Sequence, residues 1–313
     1  MGNGHFFSHR EVKGSELAAV CDVRYDMARE KLTNFQIEMP LYSDMEEMIK
    51  TVRPDFVDIV TPTYTHADLA VRAMEMGCDV LCEKPMELYP EDAARMIEAS
   101  KRTGQRLMIA HVVRFMAPYV YLKSVIDSGK FGKLLRLDMK RISSIPATSC
   151  DNWMQDFDKA GGVILDLSIH DIDFARYMFG DPKDFSGVYY TQKDKTEYSA
   201  VTLEYDGFSV SAEGGWYKTY IPFTCGFTAI FEGGMVVSAG DKLTENGNAV
   251  ELTPELPMFD VGAPCGTLDG YTREIQYFVS RLESGEPFDA VSADSSLGTV
   301  ALCRKIIDGA KKI

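Results

Sequence analysis

Over its first third the chain alternates short, almost unbroken apolar runs with stretches of helical period. Residues 16–23, "ELAAVCDV", read as a strand and 25–35, "YDMAREKLTNF", as the helix after it. A short strand fits at 40–42. Then come the strand "DFVDIVTP" (55–62), the helix "THADLAVRAMEMG" with Gly77 as its stop, and the strand "DVLCEKP" (79–85). The helix "PEDAARMIEASKRTG" and the strand "QRLMIAHVVRF" (105–115) complete the run. Nearly continuous apolar strands, each followed by a helix, predict parallel βαβ units with helices over both faces of the sheet.

After Phe115 the period changes. A helix, "PYVYLKSVIDSG", leads into the alternating run "KLLRLDMKRIS" and then into a second helical stretch, "GGVILDLSIHDIDFARYMFG". From Tyr189 to about Met258 strand-like segments dominate, including "AVELTPE", with turn signals at Asp206-Gly207, Gly233-Gly234 and Asn246-Gly247. That pattern predicts an antiparallel sheet. The last fifty or so residues return to helix in "TREIQYFVSRLESG" and "SSLGTVALCRKIIDGAKK". The expected fold is α/β: a doubly wound parallel sheet over residues 1–116, followed by an α+β domain over 117–313 with a mainly antiparallel sheet.

Composition narrows the function classes. The 313 residues are 45% hydrophobic, with 47 acidic against 33 basic residues and a formal net charge of -14. Such a balance offers no electrostatic footprint for nucleic acid or an anionic membrane surface. The seven cysteines (21, 78, 82, 150, 225, 265 and 303) are scattered and never paired as C-x-x-C, the pattern of reduced thiols. No basic-then-apolar leader opens the sequence and no apolar run is long enough to span a bilayer, so a cytoplasmic location is expected.

The opening, "MGNGHFFSH", resembles the start of a dinucleotide-binding loop in Gly2-x-Gly4, and Asp22 follows at about the spacing of that fingerprint. No strand delivers the chain to it, however, and Phe7 stands where the third glycine belongs. The favoured reading is a look-alike in which the first strand and glycine loop are absent from this chain. On that reading neighbouring strands are left with unpaired edges and nucleotide binding is weakened.

Asp22 ends the first strand, where an acid accepts hydrogen bonds from an adenosine ribose, although Arg24 lies close by. In "CEKPM" (82–86), Lys84 leaves the sheet at its C-terminal edge, where open α/β sheets bind ligands; Pro85 fixes the turn, through a cis Lys84-Pro85 bond or as a plain helix start. In "GGVILDLSIHDID", Asp166, His170 and Asp173 fall at i, i+4 and i+7 on one helix face. An acid one turn before a histidine can fix its tautomer for work as a general base. The same face also suits a helix with capping charges or a metal site, and no metal is assigned. His66 is read as structural or at a cofactor edge. His111 and Arg114 sit at a strand exit, where Arg114 contacts substrate or makes a surface pairing. Trp216 and Tyr217 stack on a sugar or mark an oligomer interface.

Together "AAVCDV", "TPTYTHADLA", "CEKPM", "HVVRF" and "GGVILDLSIHDIDFARYMFG", with "PFDAVSADSSLGTVALCRKI" near the C-terminus, resemble the glucose-fructose oxidoreductase / inositol dehydrogenase / rhizopine-catabolism (Gfo/Idh/MocA) family of NAD(P)-dependent oxidoreductases. The resemblance implies a Rossmann-like nucleotide domain joined to an open-faced antiparallel sheet that forms homodimers or homotetramers. It also implies hydride transfer between a sugar, polyol or cyclitol carbon and NAD, with NADP as the other possible cofactor. By the family's motifs His170 is the base, Lys84 the hydroxyl ligand and Asp166 the orienter. Asp22, Thr61, Pro62, His66, Glu83 and Lys84 are the candidate cofactor contacts, and Arg114, Asp173 and Trp153 the candidate substrate contacts. A cofactor-impaired ligand-sensing relative and an NAD-using sugar hydrolase or lyase are the alternatives.

Overall fold

The computed structural model describes residues 1–147, 149–192, 195–240, 242–253 and 269–313. The N-terminal part runs α1 (Gly2–Glu11), β1 (Val20–Cys21), α2 (Tyr25–Asn34), β2 (Leu41–Tyr42), α3 (Met45–Val52), β3 (Phe56–Ile59), α4 (His66–Glu75), β4 (Asp79–Glu83), α5 (Pro90–Thr103) and β5 (Leu107–Ala110). Local chemistry sets several boundaries. Asp44 caps α3 by accepting from the Glu47 amide, and α5 opens on Pro90 with Glu91 and Asp92 in its first turn and closes with Lys101 and Arg102.

All five strands pair in parallel, as β1–β2 and as β3–β4–β5, so the parallel sheet comes in two pieces. In the larger piece Val57, Ile59, Val80, Cys82, Leu107 and Ile109 join the core built with α4 and α5. Leu81, Met108 and Ala110 face the other way, into a second cluster. Three strands are much shorter than the apolar runs predict: residues 16–23 contribute only Val20–Cys21, 55–62 only Phe56–Ile59 and 105–115 only Leu107–Ala110. The last run breaks because the His111 amide turns back to the Ile109 carbonyl and a 3-10 turn, Val112–Phe115, follows. Gly2 and Gly4 lie in the first turn of α1, and a Cβ at either would meet no described atom within 4 Å.

The second part contains α6 (Ala117–Asp127), β6 (Leu134–Ser144), α7 (Phe157–Ala160), α8 (Ile169–Phe179), β7 (Asp184–Thr191), β8 (Glu197–Glu204), β9 (Ser209–Tyr217), β10 (Thr224–Phe231), β11 (Met235–Ala239), β12 (Lys242–Glu245), β13 (Asn248–Ala249), α9 (Gly270–Ser284), α10 (Ala293–Gly309) and β14 (Lys311–Lys312). The strands form one nine-stranded sheet, β13-β12-β11-β10-β6-β9-β8-β7-β14, antiparallel except at β6–β9 and β7–β14. Leu137, Met139, Val201, Ala212 and Phe227 pack from it against α6 and α8. Alternation sends Ile142, Tyr198, Ala200 and Val237 to the opposite face, where they are half-buried. Trp216 is buried rather than displayed on that face. The predicted strand run beyond Thr253, and Cys265, lie outside the described residues.

The last two long helices return to the first sheet. Ile275, Phe278 and Val279 of α9 fill the second cluster with Leu81 and Met108, and Lys13 exchanges backbone hydrogen bonds with the Gln276 side chain. Among the described residues no helix is long and apolar enough to cross a membrane.

Candidate active site

Gly161 and Gly162 both adopt positive φ, +72° and +70°, and turn the chain from α7 towards α8. Between them and α8, Ile164–Ser168 forms a single π-helical stretch. That stretch aims Asp166 at the end of β4, where Lys84 follows Glu83 and the Lys84–Pro85 peptide bond is cis. Lys84 Nζ donates to the Asp166 carbonyl at 2.7 Å and to its carboxylate Oδ1 at 3.0 Å. The two side chains are 11% and 17% exposed, so the pair is partly shielded and open on one side.

His170, one turn on, is half-buried, and its Nδ1 is enclosed without a hydrogen-bond partner among the described residues. Burial, then the charge of Lys84, and then Arg141 and His111 hold its pKa well below the ordinary histidine value. It is therefore a neutral imidazole at physiological pH, with Nε2 left to act on a ligand. Asp166 engages Lys84 and makes no hydrogen bond to His170, which corrects the expectation that it fixes the imidazole tautomer. The reason is the π turn: it widens the helix, so residues four apart no longer stack as they do in an α-helix.

Asp173 does not share the cleft face either. It is buried, with Arg114 Nε and Nη2 donating to its two oxygens at 2.8 and 2.6 Å and the Thr299 hydroxyl donating at 2.9 Å. Arg114, expected at a substrate or in a surface pairing, is itself 5% exposed and also donates to the Ala290 carbonyl. Placing a guanidinium and a carboxylate in the same interior leaves each to satisfy the other. His111 Nδ1 lies 3.3 Å from Asp173, and burial lowers its pKa to about 4.

The candidate cofactor residues lie on the C-terminal ends of the parallel strands. Asp22 follows β1 and accepts from the Arg24 amide at 2.8 Å. Thr61 is exposed just after β3, followed by Pro62, and its hydroxyl pairs with that of Thr65 at 2.7 Å. Buried His66 ties two loops together, with Nε2 against the Thr61 carbonyl (3.0 Å) and Nδ1 against that of Pro85 (2.9 Å). Glu83 is 5% exposed and already engaged, accepting from the Lys84 amide (3.0 Å) and from His5 Nε2 (2.9 Å). Trp153 is half-buried, its ring edge-on to Tyr64 at 6.4 Å.

Sequence reasoning missed three groups that hold this site. His5 and His9 of α1 both donate to the Asp58 carboxylate of β3, at 2.8 and 2.9 Å. Glu197 of β8 accepts from the Val163 amide at 2.7 Å and the Tyr189 hydroxyl at 3.0 Å, which pins the Gly161–Gly162 turn. Arg141 of β6 pairs with Asp171 of α8. Glu197 and Arg141 share one signal, a charged side chain at the inward parity of an alternating strand, whereas Asp58 lies on the face of β3 opposite Val57 and Ile59 and gives no such signal. Among the described residues no group of three or more His, Cys, Asp or Glu is placed to hold a metal.

Residues 2–111 match the family model described as an oxidoreductase family with an NAD-binding Rossmann fold, and residues 119–237 match the GFO/IDH/MocA C-terminal domain. An inositol 2-dehydrogenase of Salmonella paratyphi B is 30% identical over 183 residues, 58% of this chain and 52% of that protein. A D-glucoside 3-dehydrogenase of Escherichia coli is 28% identical over 209 residues, 65% of this chain and 58% of that protein. The chain thus spans about half the length of the curated relatives it matches. A levoglucosan dehydrogenase solved with NADH and levoglucosan shares the fold, with a TM-score of 0.82 over 98% of this chain and 94% of that one, at 20% identity.

Proposed function

This chain belongs to the Gfo/Idh/MocA oxidoreductase family, and from that membership and the geometry of its site we propose that it is an NAD(P)-dependent dehydrogenase of a sugar, polyol or cyclitol hydroxyl. The observation that carries the reading is the convergence of Lys84, Asp166 and the neutral His170 at the C-terminal edge of the parallel sheet. The strand-end residues fit a dinucleotide: the Asp22 carboxylate after β1 is part-exposed and within reach of a ribose, and the Thr61 hydroxyl after β3 is exposed. NAD, when bound there, supplies the hydride acceptor.

The chain's own residues handle the proton. His170 Nε2, unprotonated, takes the hydrogen of the substrate hydroxyl as the carbon is oxidised. Lys84 donates a hydrogen bond to that oxygen and stabilises the negative charge it gains. Asp166 holds the lysine through two oxygens, so the ammonium points into the cleft without searching rotamers. His66 braces the Thr61 and Pro85 loops between which the lysine emerges.

Residues 1–116 are read as the nucleotide half and 117–313 as the substrate half, with α9 lent back to the first sheet. Free Cys21, Cys78, Cys82, Cys225 and Cys303 support a cytoplasmic location. The test is His170→Ala: turnover of a sugar or cyclitol should fall about 10²–10⁴-fold while NAD affinity by calorimetry stays within a few fold. Equal loss of both would remove His170 from the proposed role.

A further inference from the structure

The turn that carries His170 is anchored in the interior on its other side. Asp171, next in sequence, is fully buried, and its Oδ1 accepts from Arg141 Nε at 3.0 Å. Arg141 projects from β6 with the same inward parity as Leu137 and Met139 and is 2% exposed. Its Nη2 donates to the Tyr119 hydroxyl at 2.7 Å. The Tyr119 ring, from α6, stands edge-on to Phe174 of α8 at 4.9 Å and to Phe227 of β10 at 5.1 Å. One guanidinium thus joins α6, β6 and α8 beneath the proposed base. Burial disfavours its charge, but Asp171, Tyr119 and Cys225 together outweigh that, and Arg141 stays a cation. A buried ion pair is a weak source of stability compared with apolar packing of the same volume. Its place beside His170 points to a different use.

We propose that Arg141 is a positioning residue for His170: clamped by Asp171 and Tyr119, it fixes the rotation of α8 and sets a permanent positive charge behind the imidazole. The inference rests on the reading of His170 as the base. The charged and titratable groups that bear on His170 are Lys84 from the loop after β4, Arg141 from β6 and His111 from the segment after β5, with Asp166 of the preceding turn engaged by Lys84 and Asp171, whose pKa burial raises against the pull of Arg141, engaged by that guanidinium.

A fixed charge has a sign that packing lacks. Removing the guanidinium lets the imidazole protonate more readily, whereas removing only the Asp171 charge leaves the cation uncompensated and does the reverse. The experiment follows the His170 imidazole by NMR against pH in the full chain, its signal assigned with His170→Gln, in Arg141→Met, Arg141→Lys and Asp171→Asn, beside kcat/KM profiles. Arg141→Met should raise the His170 titration and the acid limb of kcat/KM by roughly one pH unit. Asp171→Asn should lower both, and Arg141→Lys should restore the wild-type position. Shifts of the same sign in Arg141→Met and Asp171→Asn, or none in folded protein, overturn the inference. Should Arg141→Met not fold, Arg141→Lys against Asp171→Asn decides: a downward shift confined to the latter upholds it, and any other pattern rejects it. Opposed NMR shifts in a chain without dehydrogenase activity would leave the positioning intact and fail the reaction; activity that needs His170 with no shift would do the converse.

Discussion

Asp58 lies on the α1-facing side of β3 and takes two imidazoles, while Glu83, at the end of β4, takes one of them from the other side. His5 therefore faces a carboxylate with each ring nitrogen and is held protonated: burial alone would lower its pKa, but Asp58 and Glu83 push it well above the histidine range. Glu274 of α9 sits beside this cluster with no comparable help. It is fully buried, and neither carboxylate oxygen has a hydrogen-bond partner among the described residues. Burial, and then the nearby Glu83 carboxylate, raise its pKa well above that of an ordinary glutamate, with Asp58 adding and His5 and Arg114 opposing. The sign follows from proton counting. Above the ordinary carboxyl range the unfolded chain releases this proton and the folded chain keeps it, so stability falls as pH rises, by at most about 1.4 kcal/mol per pH unit. Glu274→Gln removes the titration with little change in shape. Its melting temperature relative to wild type should therefore climb between pH 5 and pH 8, at about 2–4 °C per kcal/mol. A difference that stays flat across that range in calorimetric scans would mean the acid ionises in the folded state.

At the scale of elements, the site depends on how one short π-helical stretch is launched. Gly162 lies at positive φ, and a Cβ there would stand 2.5 Å from Glu197 Oε2 and 2.7 Å from the Tyr189 hydroxyl, the two groups that pin the turn. Gly162→Ala must strain the backbone and push Glu197 off the Val163 amide, a combined cost of about 2–4 kcal/mol. The expected result is a lower melting temperature and a several-fold loss of turnover, because Asp166 and Lys84 lose register; steady-state kinetics and a thermal scan on one preparation check both. None of this was legible in local period. The runs at 25–35, 55–62 and 79–85 did predict α2, β3 and β4, because amphipathic and apolar periods are local properties. The spacing argument for Asp166 and His170 assumed 3.6 residues per turn, and nothing in "VILDLS" announces a wider one. Arg114 and Asp173 looked like cleft residues for the opposite reason: their pairing spans 59 positions, and no window on the sequence contains both. The grouping of Lys84, Asp166 and His170 came from the family motifs instead, which carry long-range information that periodicity does not; Lys84 and Asp166 meet across 82 positions.

For the whole molecule, the nine-stranded sheet has an unequal pair of faces. One is sealed by α6 and α8 over Leu137, Met139 and Phe227. The other shows Ile142, Tyr198, Ala200 and Val237 beside charges that pair among themselves, Arg136 with Asp138 at 2.7 Å and Lys140 with Glu213 at 3.3 Å. Their half-burial comes from neighbours in the same layer, since side chains on adjacent strands shade one another. A broad, mixed apolar face of this kind on a twisted sheet suits a second sheet of the same sort, and two-fold pairing makes one patch serve both partners. Homo-oligomerisation through this face is the expectation, and it makes a quantitative claim. A stable interface needs roughly 800 Å² from each partner, with its apolar centre free of unpaired charge. Ile142 sits on β6, near the middle of the sheet order, so Ile142→Asp places an unpaired carboxylate close to that centre. Light scattering of the wild type should return a multiple of the chain mass, and Ile142→Asp should shift it towards a single chain while the far-ultraviolet circular dichroism is unchanged. The inward residues, His170 and Arg141 among them, lie on the other side of the layer, so the monomeric variant should keep the His170 titration of the parent. A wild type that runs as a single chain at all concentrations would assign this face to solvent or to a different partner.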